Sequence, residues 1–112
     1  MKKEITTLFI HSFEEIDNIL NSNFYKETDK NNLKKIRKKL SIWYKNYIEK
    51  STLKTINPKE LKYIDLEITS LFDKYYQEES LKENYTESLL YNFDHLEHYW
   101  KDEMLGVKKW LN

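Results

Sequence analysis

The chain has no cysteine and no alanine, one glycine, one proline and, among its 19 basic residues, a single arginine, Arg37. Without cysteine there is no disulfide framework and no thiolate metal site, which suits a reducing cytoplasm. One glycine and one proline leave too few tight turns for a many-stranded β fold. Lysine, asparagine, isoleucine and tyrosine are plentiful while the residues of GC-rich codons are scarce. We read this as an AT-rich coding genome, in which an abundance of lysine carries less functional weight. No segment approaches roughly 18 uninterrupted apolar residues, so no membrane span is expected. Lys2 and Lys3 precede an apolar run, but Glu4, His11, Glu14 and Glu15 interrupt it and no small-residue cleavage site follows, so a secretory signal is not expected. The sequence reads as a cytoplasmic protein.

What is present is helical patterning. Its clearest stretch is Asn57–Glu78. Asn57 can accept a first-turn N–H, Pro58 suits the first helical position, and Glu60 stands where a capping box places its acid. Leu61, Ile64, Ile68, Leu71 and Tyr75 then recur at three- and four-residue steps and form one apolar stripe. A helix over 3–22 carries Ile5, Leu8, Phe9, Phe13, Ile16, Ile19 and Leu20, widened by Ile10. Phe24 and Tyr25, in the connection after it, are expected to fold back over one end of the core. A helix over 30–50, capped by Thr28 or Asp29, carries Leu33, Ile36, Leu40, Trp43 and Tyr47. KSTLKTI reads as a polar linker to Asn57. The third helix spans 58–78, and Ser80 with Glu83 forms a second capping box. A fourth over 81–105 carries Leu81, Tyr85, Leu89, Phe93, Leu96, Trp100 and Met104. Gly106 is a natural stop, yet Val107 and Leu111 continue the stripe, and the reading favours extension to 111.

At 112 residues this predicts an all-α fold: one domain, 1–112, built as an antiparallel bundle of about four helices. Tyr47, Tyr75 and Tyr85 are expected at the borders of the core, where their hydroxyls can reach partners. The pattern fits a monomer or a homodimer.

Charge is uneven although the net is zero: residues 26–56 carry ten basic and three acidic side chains, and residues 57–112 seven and twelve. Lys34, Lys35, Lys38 and Lys45 share the polar side of the second helix with Ile42. In a bundle these lysines can complement acidic neighbours; alternatively they can follow a phosphate backbone. Base readout favours arginine, asparagine or glutamine on a short helix, and no helix-turn-helix follows, so nucleic-acid binding stands second.

Chemistry-bearing motifs are sparse. His95 and His98, with Asp94 and Asp102, have spacings that could share a metal ion on one helix face. They lie opposite Phe93, Leu96 and Trp100, however, and lack a third strong ligand, so no metal site is expected. No Gly-rich phosphate loop or nucleophile elbow occurs, and neither catalytic residues nor a cofactor are expected. Apolar and aromatic residues that the helical period places outside remain: Ile42, Tyr63, Leu66, Tyr91 and Trp110. Together with Lys34, Lys35, Lys38, Lys45 and His95 they form the expected partner-binding set. The resulting expectation is a non-enzymatic, stoichiometric protein binder of the inhibitor or immunity type.

Overall fold

A computed structural model describes residues 2–76 and 85–106. Four helices follow in chain order: α1 (Lys2–Asn21), α2 (Glu27–Lys50), α3 (Pro58–Tyr75) and α4 (Tyr85–Leu105). There is no strand among the described residues. The expected all-α antiparallel bundle is what the chain forms. Its antiparallel sense is visible in the contacts, because numbers fall on one helix as they rise on its neighbour. Phe9 packs on Tyr47 and Phe13 on Tyr44 between α1 and α2. Asn32 meets Glu67 and Lys39 meets Glu60 between α2 and α3.

Each stripe does its expected work. Ile5, Phe9, Ile16 and Ile19 from α1, and Leu33, Ile36, Leu40 and Trp43 from α2, are buried with Leu61, Ile64, Ile68 and Leu71 of α3 and Leu89, Phe93 and Leu96 of α4. A helix this amphipathic is stable only when its apolar face is covered, and here each covers the others. α3 begins as its sequence dictates, with Asn57 Oδ1 accepting from the Lys59 N–H at 2.8 Å and Pro58 in the first turn. Glu60 forms an interhelical ion pair with Lys39 at 3.0 Å.

α1 and α4 pack most closely, α3 against α4 and α1 against α2 less so, while the α2 and α3 backbones stay farther apart. Ser12 and Thr86 are small and fully buried on α1 and α4, which permits the close approach. Ser12 satisfies its own hydroxyl by donating to the Leu8 carbonyl at 2.8 Å.

Several details differ from the sequence reading. α2 starts at Glu27, earlier than expected, with Lys26 at the cap and no side-chain cap bond; Asp29 is inside the helix and faces α3, where it meets Tyr75 and Lys74. Tyr47 and Tyr75 are buried, not bordering, and Tyr85 is half-buried. Ile10 and Met104 are exposed. For Met104 the reason is length: the start of α1, at Lys3 and Glu4, lies beside Tyr99, so the last turn of α4 runs past it. α4 stops at Leu105, and Gly106 takes the left-handed φ of 75°. The expected end of the third helix at 78, the Ser80–Glu83 box, the start of the fourth at 81, the extension to 111 and Trp110 lie outside the described residues.

The linker departs most. α2 ends where Ser51 turns left-handed (φ 54°) and donates to the Tyr47 carbonyl. The segment after it buries Leu53 and Ile56 completely in the core. Glu103 of α4 fixes this segment: its carboxylate accepts from the Thr52 hydroxyl and from the Leu53 N–H, the latter at 2.9 Å. Leu53→Ala is expected to cost about 2–5 kcal/mol, whereas Leu66→Ala, at an exposed position, should stay within about 0.5 kcal/mol. Thermal or urea unfolding checks this, and equal effects at the two positions would contradict the packing described.

Candidate functional site: the side between α2 and α3

The expected partner-binding residues divide between two sides of the bundle. Lys34, Lys35, Lys38 and Lys45 are exposed along α2, and none forms an ion pair among the described residues. Ile42 (48 % exposed) shares their face, and Tyr63 (56 %) and Leu66 (55 %) stand on the neighbouring helix α3. Lys35 and Tyr63 come together in one cleft of about 160 Å³, completed by Asn32, Ile36, Lys39, Glu60 and Ile64. Tyr91 and His95 lie instead on the far side, in two clefts between α4 and α1. Trp110 lies outside the described residues.

The α2–α3 cleft does not end at Tyr63. A second cleft, of about 250 Å³, shares Asn32 and Ile36 with it and runs on to Leu71, Lys74 and Asp29. The two make one groove, with core residues Leu33, Ile36, Ile64 and Leu71 at its base. Three polar bridges span it. Lys39 pairs with Glu60, the Asn32 amide donates to Glu67 at 2.6 Å, and Asp29 accepts from Lys74 at 2.8 Å and from the Tyr75 hydroxyl at 2.5 Å. The last bridge is the best enclosed. The Tyr75 oxygen also accepts the Lys26 N–H at 3.0 Å, and its ring packs on Tyr25 and Phe24. Phe24 and Tyr25 thus close one end of the core, as their sequence position suggested. Burial acts to raise the Asp29 pKa, but the hydrogen bonds from Lys74 and Tyr75 outweigh it and hold the carboxyl below its ordinary value.

Internal charge complementarity is real but partial. Arg37 forms a two-pronged pair with Asp17 at 2.8 and 3.0 Å and stacks over Phe13. Arginine's planar fork suits that geometry. The pairs of Arg37 and Lys39 use two cations of α2, while the four outer lysines form no ion pair among the described residues.

On the α1–α4 side, Tyr91 lines a cleft with His11, Glu14, Glu15, Asn18, Ser88 and Asn92. The Glu15 pKa is raised, by burial first and by the charge of Glu14 next. His98 is exposed beside Asp94, its Nδ1 at 3.0 Å from the Asp94 carbonyl. No three His, Cys, Asp or Glu side chains converge as a metal site among the described residues.

Sequence reading passed over one unusual group. Glu97 of α4 hydrogen-bonds with Asp65 of α3, and its pKa rises to about 7, through burial, then the hydrogen bond and charge of Asp65, against a smaller opposing effect of Lys101. A carboxyl titrating near neutrality is suited to acid–base work, but neither Glu97 nor Asp65 lines any of the four clefts. We read the pair as an interhelical contact. No local signal in the sequence brings these two positions together, since the register of α3 against α4 must be known first.

Comparison with protein-family models, with curated proteins and with solved structures finds no match for the chain. Among the described residues no helix is long and apolar enough to cross a membrane.

Glu97 makes stability depend on pH in a defined window. Its folded pKa of about 7 exceeds the ordinary 4.5, so between these values the folded state holds a proton that the unfolded state has lost. Stability from this pair is therefore fully present below about pH 4.5 and falls as pH rises to about 7. Glu97→Gln should flatten the melting temperature across that window and raise it at pH 8. A variant that melts with the unchanged slope would contradict the shared-proton pair.

Proposed function

We propose that the protein is a non-enzymatic binding module that acts stoichiometrically on a protein partner, as a small inhibitor or immunity protein does. A phage-encoded counter-defence protein and an immunity factor against a toxin or bacteriocin are the two settings that suit its size and architecture, with the cytoplasm as its compartment. The observation that carries this reading is the α2–α3 side itself, where Ile42, Tyr63 and Leu66 are about half exposed or more beside lysines that form no ion pair among the described residues. Single exposed apolar residues are ordinary. Three of them beside an apolar-floored groove and a row of exposed lysines offer anchors, orientation and electrostatic steering at one place.

A second reading uses the same lysines on nucleic acid. Contact with four phosphates would give a log–log salt slope of about −3.6 on duplex DNA. A phosphate backbone would leave the exposed Ile42, Tyr63 and Leu66 uncovered.

Affinity purification of the tagged full chain from its host, and from cells carrying co-occurring phage or toxin systems, should recover a partner. That partner should co-elute in fixed stoichiometry and lose activity in proportion to the chain added. Failure to hold any protein from these sources, or retardation of duplex DNA at low salt with the slope above, would overturn the reading.

A further inference from the structure

We propose that the groove between α2 and α3 receives an acidic, amphipathic helix of the partner protein. This rests on the protein-binding reading and specifies where and with what chemistry it operates.

In the groove the neighbouring backbones of α2 and α3 stay apart, and core side chains line it. Its mouth is closed by side chains alone. At the Lys39–Glu60 bridge both partners are about two-fifths exposed, at 40 % and 43 %, and such a surface pair holds only weakly. Parting it to admit an apolar side chain over Ile36 and Ile64, beside Tyr63, costs little.

Charge selects the occupant. Lys35 and Lys39 line the mouth, and Lys34, Lys38 and Lys45 extend the positive strip along α2. Incoming carboxylates would meet Lys35 directly and could replace Glu60 on Lys39. Asp29, Glu60 and Glu67 are the acids of the groove, already matched by Lys74 with Tyr75, by Lys39 and by Asn32, so an acidic segment adds its charge at Lys35 on the α2 rim and its apolar face over α3. A basic segment has no comparable acidic rim to meet. Shape selects a helix: no strand offers an edge among the described residues, and a furrow between two antiparallel helices takes apolar anchors spaced at three and four residues. Tyr63, Leu66 and Ile42 would cover those anchors, which a phosphate backbone would leave bare.

The test uses a phage-displayed library of helix-forming peptides panned on the full chain, with affinities then measured by fluorescence anisotropy. Selected peptides should carry aspartate and glutamate on one side of an apolar stripe. Their binding should weaken at least tenfold in Lys35→Glu and in Tyr63→Ala, weaken with salt, and be unchanged in Tyr91→Ala. All three positions are exposed, and thermal melts check that each variant remains folded. Peptides without acidic bias, or peptides lost in Tyr91→Ala and kept in Lys35→Glu, would overturn the groove assignment while leaving a protein-binding role in place. If no peptide binds and the affinity purification also holds no partner, both fail. Random-sequence duplex DNA that binds through Lys35 while no peptide does would overturn both in favour of nucleic acid.

Discussion

Asp29 clasps the side of the bundle where helix backbones do not come close. Where α1 meets α4, backbones come close; between α2 and α3 they do not, and the seam depends on side chains crossing it. Asp29 is the most enclosed of these, receiving the Tyr75 hydroxyl and the Lys74 ammonium while the Tyr75 oxygen takes the Lys26 N–H. A tyrosine this deeply buried would be costly if its hydroxyl were unpaired. With both partners supplied, it packs edge-on against Tyr25 and at a tilt against Phe24 and seals the end of the core. Leu53, Ile56 and the Glu103 carboxylate seal another part of it, by holding the α2–α3 connection down.

The same opening gives the molecule its most distinctive surface. A seam bridged by polar side chains keeps an apolar base within reach of solvent. The basic character of α2, only partly matched by Asp17 and Glu60, lies along one rim. On the adjacent side, where α3 packs on α4, Asp65 and burial raise the Glu97 pKa to about 7, a contact that costs stability at higher pH. The lysine-rich and acidic segments of the chain thus offset one another only in part.

The four stripes and the Asn57 cap were legible in the sequence because each is a local pattern repeated over several turns or a residue with a special backbone requirement. Leu53 and Ile56 were hidden because two apolar residues in a seven-residue connection have no period to reveal them. Tyr47 and Tyr75 were placed too far out because their burial depends on partners distant in sequence: Tyr75 on Asp29, Tyr47 on Phe9. The division of the candidate surface into two sides followed the same limit. Lys35 and Tyr63 share a cleft, and Tyr91 and His95 face α1 instead, because the order of helices around the bundle, not the face of any one helix, decides which exposed residues meet.

That α2 and α3 are clasped by Asp29 is tested most directly by a double-mutant cycle with Asp29→Ala and Tyr75→Phe, read by urea unfolding. The account predicts a coupling of about 1 kcal/mol or more, in the range found for residues that share a buried hydrogen bond. Losses that add to within about 0.3–0.5 kcal/mol, as for independent sites, would contradict it.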